Sequence, residues 1–299
     1  MRVAITGSSG LIGSALVRAC GAAGIDVKRV VRRPAANAGE ISWRHDRGEI
    51  DEAAFSDIDV VVNLAGENIA QRWTASARQA IRDSRVRSTE LLCRAIAALA
   101  DRPPTLLSGS AIGVYGNRGD EILDEASPLG GNEDFLASVC TAWEAATRPA
   151  ADAGVRVVTL RTGIVLSRRG GALAKMLLPF RLGVGGKIGS GRQWMSWIAL
   201  ADVVGAILAL ARADAVSGPV NLVAPNPVNN AELSRVLAHV LERPSIVRVP
   251  RFALRLLLGE MARDTVLASQ RVRPRRLLET GFDFQFPTLE SALRAELAK

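Results

Sequence analysis

The stretch ITGSSGLIG at residues 5–13 constrains the fold of this chain more than any other. It follows the β-branched apolar run RVAIT (2–6) and precedes apolar residues at helical spacing from about 11 to 23, closed by Gly24. Gly7, Gly10 and Gly13 therefore lie between a first strand and a first helix, in the order G-x-x-G-x-x-G. Glycines there permit a tight turn, let backbone approach a pyrophosphate, and let the helix pack on the strand. Free N–H groups and the helix dipole favour an anion at the helix N-terminus. The pattern predicts a dinucleotide site built from Gly7, Ser8, Ser9, Gly10, Leu11, Ile12 and Gly13, against the plainer reading of a tight strand-to-helix turn.

The alternation continues along the chain. VKRVV (27–31), ISWR (41–44) and DVVVNLAG (59–66) read as strands; a helical stretch at 74–99 leads to TLLSGS (105–110). A helix from 135 to about 152 and the strand VRVVTLRTGIVL (155–166) follow. Strands alternating with helices imply βαβ units and an α/β, Rossmann-type doubly wound parallel sheet. After about residue 167 glycine-rich segments frame a helix around 172–182. Next come QWMSWIALADVV, a strand at 219–223, a helix at 229–241 and IVRVP at 246–250. The reading is a dinucleotide-binding domain over 1–166, with its core extending to about 225. A smaller C-terminal substrate lobe covers 167–299 and includes a helical piece at about 248–296.

Composition narrows the function. Hydrophobic residues make up 48% and charged residues 23%, the balance of a globular chain. No apolar run approaches the ~18–20 residues of a membrane span, and 253–259 is interrupted by Arg255. The opening MRVAITG reads as a strand rather than a leader, so the expectation is a cytoplasmic protein with no membrane partner. Cys20, Cys93 and Cys140 are odd in number and lack C-x-x-C spacing, and His45 and His239 form no ligand motif. Neither a disulfide framework nor a metal is expected. The net charge of +8 invites a nucleic-acid reading. That reading ranks last: the densest basic cluster, 270–276, is short and broken by Pro274, and no aromatic-interleaved basic motif accompanies it. A small-molecule partner is expected instead.

The choice of dinucleotide falls about 20 residues beyond the glycines, where a carboxylate holds the ribose 2′-hydroxyl of NAD and arginine accommodates the 2′-phosphate of NADP. Here Val31 is followed by Arg32 and Arg33, with no carboxylate until Glu40. Arg32 and Arg33 point to NADP(H), against the alternative of a solvated basic loop.

Five segments together carry a family resemblance: ITGSSGLIG, NLAGENI (63–69), SGSAIGVYG (108–116), LRTGIVLS (160–167) and GSGRQWMSWIALAD (189–202). The chain resembles the extended short-chain dehydrogenase/reductase superfamily, and more narrowly its atypical epimerase-like branch. Residues 259–284 are similar to the extra C-terminal domain of that branch. The resemblance implies that Leu64, Ala65 and Gly66 line the path from adenosine to nicotinamide, that Asp46 approaches the adenine, and that Ser108 and Ser110 flank the nicotinamide. It also places Arg192, Trp194, Met195 and Trp197 in a segment that closes over substrate. An ordinary aromatic core is the alternative for the tryptophans.

One departure from the family pattern is plain. Typical members carry a tyrosine acid/base and a lysine four residues later on one helical face. Counting back from Glu144, those places are held by Leu136 and Cys140. Tyr115 is the only tyrosine, and no lysine occurs between Lys28 and Lys175, so the pair exists nowhere in this chain. The catalytic candidates are then Ser110, which can polarise a substrate oxygen, Tyr115 as a proton donor or a packing residue, and Glu67 as acid/base or ribose ligand. Cys140 reads as a small buried hydrophobe, Glu144 as structural, and Asp202 as a helix cap. Two readings stay open: an oxidoreductase or epimerase-like enzyme with a non-standard acid, and a non-catalytic NADP(H)-binding sensor.

Overall fold

A computed structural model describes residues 1–99, 105–131 and 133–298. The eight strands of its main sheet are β1 (Arg2–Thr6), β2 (Asp26–Val31), β3 (Glu40–Arg44), β4 (Glu49–Ile50), β5 (Val60–Asn63), β6 (Thr105–Ala111), β7 (Val157–Thr162) and β8 (Gly218–Leu222). Their order is β8-β7-β6-β5-β1-β2-β3-β4; every neighbouring pair is parallel except β3 with β4. The strand order reverses between β1 and β5, which opens a crevice at their carboxyl ends.

Alternate side chains of each strand enter different cores, as burial on both faces requires. Val3, Ile5, Val60, Val62 and Leu107 meet one layer, formed by α1 (Leu11–Ala22) and a helix at Leu200–Arg212. Ala4, Val61 and Leu106 meet the other, with Leu92, Cys93 and Ile96 of α2 (Ala75–Ala97). A third cluster builds the C-terminal lobe around Leu173, Leu177, Phe180, Trp197, Leu237 and Leu293.

The stretch expected as one strand over 155–166 is two. Gly163 separates β7 from a short piece, Ile164–Leu166, that pairs with Trp197–Ala199. A Cβ at Gly163 would lie 2.6 Å from the Ser196 carbonyl oxygen, so the crossing requires glycine. The helix expected over 135–152 also divides, into α3 (Phe135–Ala145) and Arg148–Asp152. Pro149, which lacks an N–H and clashes with the preceding turn, sits at the start of the second piece. Asp202 caps nothing. The helix starts at Leu200 after Ala199, and the buried Asp202 carboxylate accepts from the Gln285 and Phe286 N–H groups at 2.8 and 3.1 Å. It ties the C-terminal segment down instead. β8 pairs with β7 along its length, so the sheet is completed only after the chain has passed through part of the lobe.

Candidate functional site

The loop between β1 and α1 is packed backbone to backbone. Gly7 has φ +62°, and a Cβ there would lie 2.6 Å from the Leu64 carbonyl oxygen. A Cβ on Gly13 would lie 2.2 Å from the Gly7 oxygen. Gly10 is the residue before α1, and no side chain caps that end. The first N–H groups of a twelve-residue helix therefore face the crevice without a side-chain acceptor, an arrangement suited to a phosphate.

Buried polar groups stitch the strand ends beneath this crevice. The Thr6 hydroxyl donates to Asn63 Oδ1 at 2.7 Å and accepts from the Leu64 and Ala65 N–H groups at 3.0 and 3.1 Å. Asn63 Nδ2 donates to Thr89 Oγ1, which also accepts from Trp143 Nε1. Asn63 Nδ2 also lies 3.4 Å from the hydroxyl of Ser108, which is wholly enclosed. This network fixes the Leu64–Ala65–Gly66 turn against α2 and α3.

On the β2 side the three arginines have different roles. Arg29 Nε donates to the Ser8 hydroxyl at 3.3 Å, bringing a guanidinium onto the glycine loop. Arg33, expected to meet a 2′-phosphate, is instead engaged by both oxygens of Glu40 at 2.7 Å. That pairing, reinforced by the Ala36 N–H, pulls the Glu40 carboxyl down to about 2. Arg32 is exposed and lies near His45, which burial and then the Arg32 charge push below its usual range. Asp46 is exposed in the turn after β3.

At the ends of β6 and β7 the chain assembles a cluster that sequence reasoning missed. Ser110 donates to Glu144 Oε1 at 2.7 Å, and Arg161 grips the same carboxylate through Nε and Nη2, both at 2.8 Å. Arg161 Nη1 also donates to the Tyr115 hydroxyl at 3.0 Å, which in turn donates to Asn221 Oδ1 at 2.8 Å. Tyr115 is fully buried, and burial pushes its phenol above the usual range despite Arg161. It is a packing and linking residue with no exposed hydroxyl to donate. The available signal was Arg161 itself, the one charge inside a strand otherwise made of Val, Leu and Thr, since a buried charge requires a partner. Glu67 is exposed after β5; its carbonyl accepts from Arg85 and its N–H donates to Ser84. Leu136 and Cys140 are buried on α3.

The three thiols are all buried. Burial pushes Cys93 and Cys140 up to about 12, the latter despite the nearby Arg85 charge, and raises Cys20 as well. They stay protonated at pH ~8 and are enclosed. No thiol of the native protein should react with an aromatic disulfide reagent at that pH, and all three should react after denaturation; a thiol titrating without unfolding would contradict this burial.

The substrate-side residues separate. Trp197 is fully enclosed and its indole N–H donates to the Asn226 carbonyl, so it presents no face to a ligand. Trp194 is half-buried, donates to Asp120 at 2.8 Å and carries the Arg271 guanidinium 4.1 Å over its ring. Arg192 is exposed and lines a cleft of about 290 Å³ with Asn117, Asp120, Gln193, Arg251 and Arg263. Gln193 is 3% exposed and its Oε1 has no partner among the described residues. Arg263 is held by Asp264 at 2.6 Å, so Arg192 and Arg251 with the orphaned acceptor suit a ligand carrying both anionic and hydroxyl groups. Ser110 and the glycine loop do not line this cleft. Among the described residues no group of three metal-ligating side chains converges, and no helix is long and apolar enough to cross a membrane.

The sequence pattern of the NAD dependent epimerase/dehydratase family matches residues 3–224, and a domain of unknown function, DUF1731, matches 249–296. The chain is 47% identical over 292 residues to the Epimerase family protein Mb2239 of Mycobacterium bovis, covering 97% of this chain and 96% of the relative. It is 37% identical to the Epimerase family protein SDR39U1 of Homo sapiens over the full length of both. Among solved structures, the human SDR39U1 isoform 2 with NADPH superposes with a TM-score of 0.89 at 36% identity, covering 100% of this chain and 99% of that one. A nucleoside-diphosphate sugar epimerase from Corynebacterium glutamicum superposes with a TM-score of 0.81 at 39% identity, covering 99% of this chain and 58% of that one.

Proposed function

The chain belongs to the NAD dependent epimerase/dehydratase family, and from that premise we propose that it is an NADP(H)-dependent oxidoreductase of the epimerase type. Its substrate would be a small anionic or nucleotide-linked molecule. The observation that carries the cofactor choice is the cationic end of β2. Arg29 lies on the glycine loop, Arg32 is exposed after β2, and the first acidic group after β2, Glu40, is engaged by Arg33. A 2′-phosphate meets positive charge there, whereas Glu40, the first carboxylate after β2, is held by Arg33 and not free for a bare 2′-hydroxyl. The NADPH bound by the human relative supports the same choice.

Within this reading the cofactor supplies a hydride acceptor and donor. The protein's own groups hold the substrate oxygen. The Ser110 hydroxyl donates its hydrogen bond to Glu144, so its oxygen retains lone pairs to accept a hydrogen bond from a substrate hydroxyl. Arg161 keeps Glu144 in place behind it. The cleft lined by Arg192 and Arg251 would take the anionic part of the substrate.

A second reading, a non-catalytic NADP(H) sensor, is favoured by the enclosed Tyr115 and by Leu136 and Cys140 on α3. A panel of hydroxy and keto metabolites, scanned for change in NADPH absorbance, separates the two. The enzyme reading expects turnover with at least one anionic compound, lowered by Ser110→Ala, while NADPH affinity is unchanged. NADPH binding without turnover of any compound would support the sensor.

A further inference from the structure

The helix Gly171–Arg181 buries Leu173, Leu177 and Phe180 in the core of the C-terminal lobe and leaves Leu178 outside, with Leu182 four residues on. The chain then passes through Val184 into a short strand, Gly186–Ile188, which pairs in parallel with Val247–Val249. Arg243 Nε donates to the Arg181 carbonyl at 3.1 Å, and a Cβ on Gly183 would lie 3.6 Å from Pro244 Cγ. The segment leading into the second strand, which carries Ile246, therefore lies against the end of the helix. Beyond that strand the helix Arg251–Leu258 sets Phe252 and Leu256 four residues apart on one face. Leu178, Leu182, Val184, Ile246, Phe252 and Leu256 are each more than half exposed, Ile246 at 86%. Exposed hydrophobics scattered singly are ordinary, whereas six on adjoining segments mark an interaction surface.

The charge around them has one sign. Residues 171–191 and 243–258 contain seven Lys and Arg and no Asp or Glu. Arg181, Lys187, Arg248 and Arg251 are exposed, and none pairs with a carboxylate among the described residues. Glu242 borders the face, and Glu260 beyond it is engaged by Arg78. A face of this kind repels its own copy, because like charges set against each other oppose association. Its apolar side chains stand clear of the surface as knobs, a shape suited to entering a soft layer. An anionic lipid layer answers both features: headgroups meet the cations, whose apolar stems lie along the layer, and the acyl boundary takes the knobs.

We propose that this face docks the protein on an anionic lipid bilayer, with Ile246, Phe252 and Leu256 entering the headgroup layer and Arg181 and Lys187 among the cations that meet its charge. Among the described residues no helix is long and apolar enough to cross a membrane, which bears on spanning a bilayer and not on lying against one. The proposal is independent of the NADP(H) reading.

The test is flotation of the full-length protein with vesicles of phosphatidylserine and phosphatidylcholine in equal parts, and with vesicles of phosphatidylcholine alone. The unmodified protein should float with the first and not with the second, and added salt should release it. Phe252→Ser with Leu256→Ser should lower the affinity about tenfold or more, and Arg181→Gln with Lys187→Gln by about the same factor. All four side chains are exposed, so melting temperatures should not fall. Should the serine pair lose its fold, Ile246→Ser, outside any helix or strand, carries the test with a loss of about fivefold. Failure of the unmodified protein to bind the anionic vesicles overturns the proposal. So does a loss confined to the glutamine pair, with the serine variants unchanged, which would show adsorption of a basic protein by charge alone. Sedimentation without lipid closes the remaining route: a dimer abolished by the serine pair would give the face to a second copy and overturn the lipid assignment.

Discussion

Glu144→Ala is expected to destabilise the protein by about 3–5 kcal/mol, the cost of leaving one member of a buried ion pair alone. The Arg161 side chain is only 5% exposed and gives two N–H groups to Glu144. Without the carboxylate that guanidinium stays inside the sheet with Tyr115 as its remaining side-chain partner. Ser110 loses its acceptor in the same step. A loss of this size is a large share of the stability of a typical domain, so it should appear in urea titrations as a lower midpoint at unchanged slope. The double variant Glu144→Ala with Arg161→Met should recover much of the loss, because it removes the stranded charge. A single variant within about 1 kcal/mol of the original, the range of exposed pairs, would mean that water reaches the pair.

Gly13→Ala should eliminate NADPH binding and lower stability by roughly 1–3 kcal/mol, the usual range for overpacking. The new methyl would sit 2.2 Å from the Gly7 oxygen and 2.9 Å from Ser8 Cα, and both are backbone. Helix α1 must move away from the loop, carrying its N-terminal N–H groups off the phosphate position. Gly21→Ala, in the same helix with nothing within 4 Å of the new methyl, is the control. It should stabilise by about 0.5–1 kcal/mol and leave binding intact. Normal NADPH affinity in Gly13→Ala, measured by calorimetry, would reduce the glycine loop to a structural turn.

The features legible in the sequence are those whose cause is local. Strand and helix periods located β1, β2, β6 and α1 within a residue or so, and the glycine spacing announced a loop that packs on its own backbone. What stayed hidden depends on which side chains meet across the fold. Arg33 and Glu40 lie seven residues apart and meet because the end of β2 runs beside the start of β3. Arg161 and Glu144 come from a strand and a helix, and Tyr115 joins them only through the turn after β6. Asp202 reads as a cap from its neighbours, yet its partners are 83 and 84 residues away. Local rules assign conformation. They do not assign partners to buried charges.

The most direct measurement is a calorimetric titration of the unmodified protein and of Arg32→Ala with NADPH and with NADH. The cationic end of β2 and the glycine loop predict that NADPH binds at least about tenfold tighter than NADH, the effect of one charge-assisted phosphate contact. Arg32→Ala should shrink that ratio without changing NADH affinity, since Arg33 remains engaged by Glu40. Equal affinities for the two cofactors in the unmodified protein, or a preference for NADH, would contradict the account at its centre.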